Sequence, residues 1–126
     1  MNSVRGFSII LIFALVAPSF SMASWAVEQR KVDFLLRFVE NSQVTFVRNG
    51  DEYPAQKAAE HLRMKLERAQ GSWFAPPKEE WTAVMFIEKI ASKSSLSGQP
   101  YYVILASGER IRSRTWLLTA LSTYQD

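Results

Sequence analysis

The sequence predicts an α+β domain in which helices pack on one face of a small, mainly antiparallel sheet, preceded by a cleavable leader. Three observations carry this expectation. Apolar residues recur at the 3.6-residue helical period in several stretches. Two short runs rich in β-branched and aromatic residues, 43–48 and 101–106, each lead into a turn that contains glycine. The 126 residues include no cysteine, so one hydrophobic core must stabilise the chain without disulfides.

The leader comes first. Arg5 is the one basic side chain before Gly6, residues 7–17 are apolar apart from Ser8, and Pro18 ends that run. Ser21-Met22-Ala23 then places small residues where a signal peptidase requires them. The apolar run is well short of the roughly 20 residues that span a hydrocarbon core, which favours a secretory signal over a membrane anchor. Ser24-Trp25-Ala26 offers a second exit three residues on. Residues 1–23 are therefore expected to be a signal peptide and 24–126 a single globular exported domain, with no transmembrane anchor after cleavage. The full chain carries +3; Arg5 leaves with the leader, and the remaining +2 is too mild to imply a nucleic-acid partner.

The element order expected after the leader is α-β-α-α-β-β-α. Val27, Lys31, Phe34, Leu35 and Phe38 form one stripe of a helix over 27–42. Residues 43–48 read as a strand ending at the Asn49-Gly50 turn. Pro54 suits the start of a second helix, whose stripe is Ala55, Ala58, Ala59, Leu62 and Leu66 and whose end is Gly71. After a loop over 71–77, Pro77 is expected to open a third helix, with Glu79 and Glu80 in its first turn and Lys89 and Lys93 in its last. Its expected buried face is Ala83, Val84, Ile87, Ile90 and Ala91. The strand 101–106 should return through a two-residue loop at Ser107-Gly108, pairing Ile104 with Ile111 and Val103 with Arg112. That register puts Tyr102, Ile104 and Ile111 under the helices. It puts Tyr101, Val103, Leu105, Arg110 and Arg112 on the open face. Trp116, Leu117, Ala120, Leu121 and Tyr124 mark a last helix.

Several separated segments resemble a known family. Phe46-Val47-Arg48-Asn49-Gly50, Tyr53 and Ala58-Ala59-Glu60-His61-Leu62-Arg63-Met64-Lys65 carry the likeness first. Phe86-Ile87, Ile90-Ala91-Ser92, the run from Ser94 to Tyr101 and Trp116-Leu117 continue it in the same order. The pattern is similar to the YfeK-like proteins, small uncharacterised proteins exported by Gram-negative bacteria that share a domain of unknown function. The Trp73-to-Trp81 stretch does not match. The resemblance implies a periplasmic address and a single domain, and it implies no activity, substrate, cofactor or catalytic residue.

Chemistry-bearing residues are few. His61, the single histidine, could serve as base for a nucleophile among the serines of 92–97, with Ser94 and Ser95 as candidates. Glu60 points about 100° away from it on a helix and cannot orient the imidazole. The serine run has no Gly-x-Ser-x-Gly elbow and no Ser-x-x-Lys pair, so turn hydrogen bonding is its more ordinary role. With one histidine and no cysteine a metal site would need mostly carboxylates, none of which clusters with His61 at helical spacing, and no glycine-rich loop cradles a phosphate. Lys57, His61, Lys65 and Arg68 line one edge of the second helix. Arg48 and Asn49 stand at a turn whose amides could face an anion. Arg110 and Arg112, with Tyr101, make a basic-aromatic face able to hold a carboxylate, phosphate or sugar acid.

The residues point first to a non-catalytic periplasmic binding or accessory protein. Its partner would be an envelope protein or an anionic ligand, and no cofactor or metal is implied. The alternative is a small periplasmic hydrolase built on His61 with Ser94 or Ser95. The leader supplies a prediction of its own: protein recovered from a periplasmic fraction should begin at Ser24, or failing that at Val27. Intact-mass measurement checks this, and a full-length species held in the membrane would contradict it.

Overall fold

The computed structural model describes residues 22–126 together with Gly6, residues 9–12 and Ala14; the expected signal peptide lies for the most part outside the described residues. Among the described residues no helix is long and apolar enough to cross a membrane. The architecture is α+β, a four-stranded antiparallel sheet in the order β2-β1-β3-β4 with helices against one face. Among the described residues the buried hydrophobic ones all fall between Val32 and Ala120.

Helix α1 (Met22–Asn41) starts five residues earlier than the periodicity suggests, with Ala23 and Ala26, good helix formers, in its first turns. Its buried stripe is Val32, Leu35, Leu36 and Val39. Phe34 and Phe38 flank that stripe instead of leading it. Phe38 packs on Trp116 with ring centroids 4.8 Å apart, and Phe34 meets Tyr124 edge-on at 5.4 Å. Both sides of the helix are apolar because it touches α2 (Ala55–Gln70) on one side and α4 (Ser113–Ser122) on another. All five residues of the expected α2 stripe are buried, and the three alanines let neighbouring elements come close. Gly71 follows α2 with φ −84°, so this helix ends without a left-handed residue.

Strand β1 (Thr45–Arg48) turns at Asn49 (φ 50°) and Gly50 (φ 81°) into a strand the sequence reading did not include, β2 (Asp51–Pro54). Two successive positive φ angles suit the right-handed twist of a tight hairpin, and Asn-Gly is the pair that tolerates them. Asp51-Glu52-Tyr53-Pro54 lacks β-branched residues, and as an edge strand it relies on pairing with β1 instead of intrinsic preference.

The third helix begins later than expected. Pro77 precedes only a single 3-10 turn, Lys78–Glu80, and Trp81 is extended. Thr82 then caps helix α3 (Ala83–Phe86), its Oγ1 accepting from Met85 N at 3.1 Å, while Glu28 of α1 accepts from Ala83 N at 2.8 Å. Two oxygen acceptors on the first free amides set the start at Ala83. Phe86 takes the buried place expected of Val84, which is exposed. The helix continues as a π-helical stretch, Ile87–Ala91.

The second hairpin, β3 (Tyr102–Ile104) with β4 (Arg110–Arg112), sits one residue away from the expected register. Val103 faces Ile111, Ile104 faces Arg110 and Tyr102 faces Arg112. The loop has three residues: Leu105 N donates to Glu109 O, Gly108 N donates to Leu105 O, both at 2.8 Å, and Gly108 closes the turn at φ 86°. A two-residue loop on Ser107-Gly108 would need a positive φ at Ser107 in either favoured turn type; the three-residue form needs only Gly108 left-handed. The inner face therefore carries Tyr53, Phe46, Val103 and Ile111 against the helices, and the outer face carries Val47, Tyr102, Ile104, Arg110 and Arg112. Arg110 and Arg112 are exposed, as expected, but their companions are Tyr102 and Ile104, whereas Tyr101, Val103 and Leu105 belong to the helix side.

The π-helical stretch ends inside the protein, and side chains receive its carbonyls. Ser113, fully buried, donates from Oγ to Ala91 O at 2.9 Å. Ser113→Ala should leave that carbonyl unpaired and cost about 1–3 kcal/mol. Denaturant unfolding checks this; a variant as stable as the parent would mean the bond contributes nothing.

Candidate functional site

A cleft of about 780 Å³ opens between α2, the π-helical stretch and the loops that follow each of them. α2 supplies one wall because His61, Lys65 and Arg68 recur on one side of it, with Met64 beside them. Lys89 and Ile90 of the π-helical stretch form the opposite wall, Tyr101 lies at depth, and Phe74 and Leu96 border the cleft from the two loops. Arg48 and Asn49 close the end nearest the sheet.

Arg48 is the last residue of β1 and points toward α2. Its Nη2 donates to the Tyr53 hydroxyl at 3.1 Å, and its guanidinium lies 4.9 Å from the centre of that ring. Its Nη1 stands 2.9 and 2.8 Å from the two ring nitrogens of His61. A guanidinium only donates, so the imidazole must accept and is neutral in this arrangement. Burial holds the His61 pKa below its ordinary 6.5, and the positive charges of Arg48, Lys65 and Arg68 add to the effect. Arg48 and His61 also line a smaller cavity of about 170 Å³ with Phe46, Tyr53, Lys57 and Ala58, so the pair stands between the two spaces.

Lys65 is the most constrained cation. Its ammonium donates to Ile90 O at 2.8 Å, to Lys93 O at 2.7 Å and to the Tyr101 hydroxyl at 3.2 Å. Burial, reinforced by Arg48 and Lys93, lowers its pKa to about 8. The two short carbonyl bonds favour the charged form, so Lys65 remains a cation at neutral pH. Tyr101 is pushed the other way, its phenol raised by burial against the opposing influence of Arg48.

The cleft lining contains Arg48, Lys65, Arg68 and Lys89 and no aspartate or glutamate. Among the described residues the ion pairs are Arg30–Asp126, Lys31–Glu28, Lys57–Glu60, Arg63–Glu40 and Arg114–Glu88. None of these involves a cleft cation. Every wall of the site can donate a hydrogen bond to an anion, and nothing in it supplies the countercharge.

The structure brings Arg48, Asn49, Tyr101, His61, Ser94 and Ser95 to this one cleft. It leaves Arg110 and Arg112 on the outer sheet face, where the Arg110 guanidinium stacks 4.2 Å from the centre of the Tyr102 ring. The basic-aromatic grouping of Tyr101 with those two arginines is thus separated by the sheet, a consequence of the one-residue register change. The hydrolase constellation is also not assembled by hydrogen bonds. His61 is engaged by a guanidinium, and Glu60 pairs with Lys57 at 3.4 Å. Ser94 Oγ accepts from Asn49 Nδ2 and from the amides of Leu96 and Ser97, each at 3.3 Å, which is turn bonding. Asn49 Oδ1 accepts from Ser97 Oγ at 2.6 Å, so the turn at 49–50 and the loop at 94–98 are tied together. The sequence marks Lys89 only as a helix-dipole partner. Its signal as a site residue was its place one turn before Lys93, on the element that faces Lys65.

Because the chain has a single histidine, its imidazole resonances report on this cleft alone. The titration midpoint should lie below 6.5 in buffer without multivalent anions and rise when pyrophosphate is added, since a bound anion favours imidazolium. Proton NMR across pH 4–8 checks both. The linkage sign follows from the lowered folded-state value: the His61 contribution to stability is fully present above 6.5 and is lost as pH falls from there through the folded-state midpoint.

Comparison with known proteins adds a family. Residues 26–125 match a family of unknown function, DUF5329. The chain is 34% identical over 96 residues to a protein of Salmonella typhimurium strain LT2 called uncharacterized protein YfeK, a match covering 72% of this chain and 74% of that protein. No solved structure matches. The residues that form the cleft lie inside the matched region, and the chain belongs to DUF5329, a family of unknown function.

Proposed function

We propose that this is an exported, non-catalytic binding protein that holds an anionic group in the cleft between α2 and the π-helical stretch. One observation carries the reading: four cations, Arg48, Lys65, Arg68 and Lys89, line a single concavity that contains no carboxylate, while acidic partners are spent on other cations elsewhere. Like charges gathered in a partly desolvated space repel one another and weaken the compact state. A bound anion removes that repulsion. Arg48 offers a planar fork suited to phosphate or carboxylate oxygens, and the exposed Arg68 and Lys89 sit where an incoming ligand meets them.

The ligand class supported is a phosphate, carboxylate or sugar acid. A hydrolase on His61 has less support, because the guanidinium at its ring nitrogens occupies the position an orienting carboxylate would need. The outer face has less support too, since Arg110 already stacks on Tyr102.

Calorimetric titration with pyrophosphate at low salt tests the reading. Arg68→Ala with Lys89→Ala should weaken binding at least about tenfold, given that a hydrogen bond to a charged group contributes about 1.5–3 kcal/mol. Arg110→Ser with Arg112→Ser should leave binding within about twofold while costing little stability. Affinity should fall as salt rises. Unchanged binding by the cleft variant, or loss of binding in the outer-face variant, would overturn the assignment.

A further inference from the structure

Four of the five large apolar side chains exposed after α1 gather in one place. Beyond α1 the exposed large hydrophobics are Met64, Trp73, Phe74, Val84 and Leu96. Met64, Phe74 and Leu96 line the basic cleft, and Trp73 adjoins Phe74 in the loop over 71–77. Trp73, Phe74 and Leu96 are 92, 94 and 99% exposed, so they stand away from the body of the protein. The fold does not use them: the tryptophan of this region that fills the core is Trp81, 5% exposed, with its Nε1 donating to Pro76 O at 3.1 Å. Clustered apolar exposure beside a functional cleft marks a contact surface.

Two loops that each raise a bare apolar residue beside an unneutralised cationic cleft have a specific physical match. At the surface of a bilayer, aromatic and aliphatic side chains settle at the boundary between headgroups and acyl chains, while lysine and arginine meet the phosphates. A free phosphate would need the cations alone and would leave Trp73 without a role. A protein partner would be met more readily by a broad patch of some 800 Å² than by single side chains raised on separate loops. We propose that the cleft receives the phosphate headgroup of an anionic lipid still in its bilayer, with Trp73, Phe74 and Leu96 inserted into the interface around it. This rests on the anion-binding reading above and adds the source of the anion. Shallow insertion of a few side chains together with charge attraction gives reversible, salt-sensitive attachment.

The test uses the chain beginning at Ser24, which holds every buried hydrophobic residue among those described, and two probes. One is flotation with phosphatidylglycerol–phosphatidylcholine vesicles against phosphatidylcholine alone; the other is soluble glycerol 3-phosphate followed by the His61 resonances. The protein should float with the anionic vesicles only, and less so as salt rises. Trp73→Ser, at a position outside the cleft lining, should lower vesicle binding at least about fivefold and leave glycerol 3-phosphate binding unchanged. Phe74→Ser with Leu96→Ser should also release the vesicles, and Arg68→Ala with Lys89→Ala should lose both probes. All these positions are exposed, and matching unfolding curves verify that the variants fold. Glycerol 3-phosphate binding without vesicle binding, or vesicle binding indifferent to Trp73→Ser, overturns the membrane inference while the cleft reading stands. In the first of those outcomes, retention of an envelope protein that depends on Trp73 would assign the rim to a protein partner. A chain that binds neither probe but still binds pyrophosphate overturns the lipid inference alone, and one that binds none of the three overturns both readings.

Discussion

The structure depends on how the carbonyls at the end of the π-helical stretch are satisfied. A helix that stops in the interior leaves acceptors without intrahelical donors, and buried acceptors need partners. Here they come from several parts of the chain. Ser92 Oγ returns to Ile87 O at 2.5 Å, Lys65 of α2 reaches Ile90 O and Lys93 O, and Ser113 at the start of α4 reaches Ala91 O. The backbone completes the set, with Tyr101 N donating to Ser92 O at 2.9 Å and Ser113 N donating to Tyr101 O at 3.0 Å. Four elements are thereby locked around one helix terminus: α2, the π-helical stretch, the entry to β3, and α4.

The same bonds create the cleft. Lys65 must cross from α2 to reach the terminus, so one positive charge is fixed where the two walls meet. Its depressed pKa expresses the cost of that placement, partly desolvated and near Arg48 and Lys93. A neutral donor would satisfy the carbonyls with less repulsion, and a nearby carboxylate would compensate the charge. Neither is present, although carboxylates neutralise cations at five other places among the described residues. Lys65 directs its three donors at Ile90 O, Lys93 O and Tyr101 Oη, so it lends the cleft charge and not a bond, while Arg48, held by Tyr53 and His61, borders the same space.

Much of this was legible in the residues, element by element. The α2 stripe Ala55, Ala58, Ala59, Leu62 and Leu66 is buried as its spacing requires, and the basic edge with His61, Lys65 and Arg68 lies on the cleft. A regular 16-residue helix converts spacing into geometry without outside help. Other readings failed where the local sequence offered two solutions. Ser107-Gly108 and Ala106-Ser107-Gly108 can both close a hairpin, and the choice moved every side chain of β3 to the opposite face. Pro77 and Thr82 can both begin a helix; Glu28, 55 residues earlier in the chain, favoured the second by accepting from Ala83 N. The stretch 51–54 has little strand preference and became β2 because Asn49-Gly50 turned it back onto β1.

What the sequence by itself determined is whatever local spacing and backbone chemistry dictate: the α+β class, the order of its principal elements, the course and faces of α2, and the tight turn at Asn49-Gly50. The tertiary structure alone decided the register of β3 and β4, the start and π-helical continuation of α3, and which cations face one another. Those outcomes rest on contacts between residues far apart in the chain. Lys65 meets Ile90 and Lys93 across 25 and 28 residues, and Asn49 meets Ser94 and Ser97 across 45 and 48. Periodicity carries no information about such partners, because it describes each element's own face and not the surface that comes to cover it.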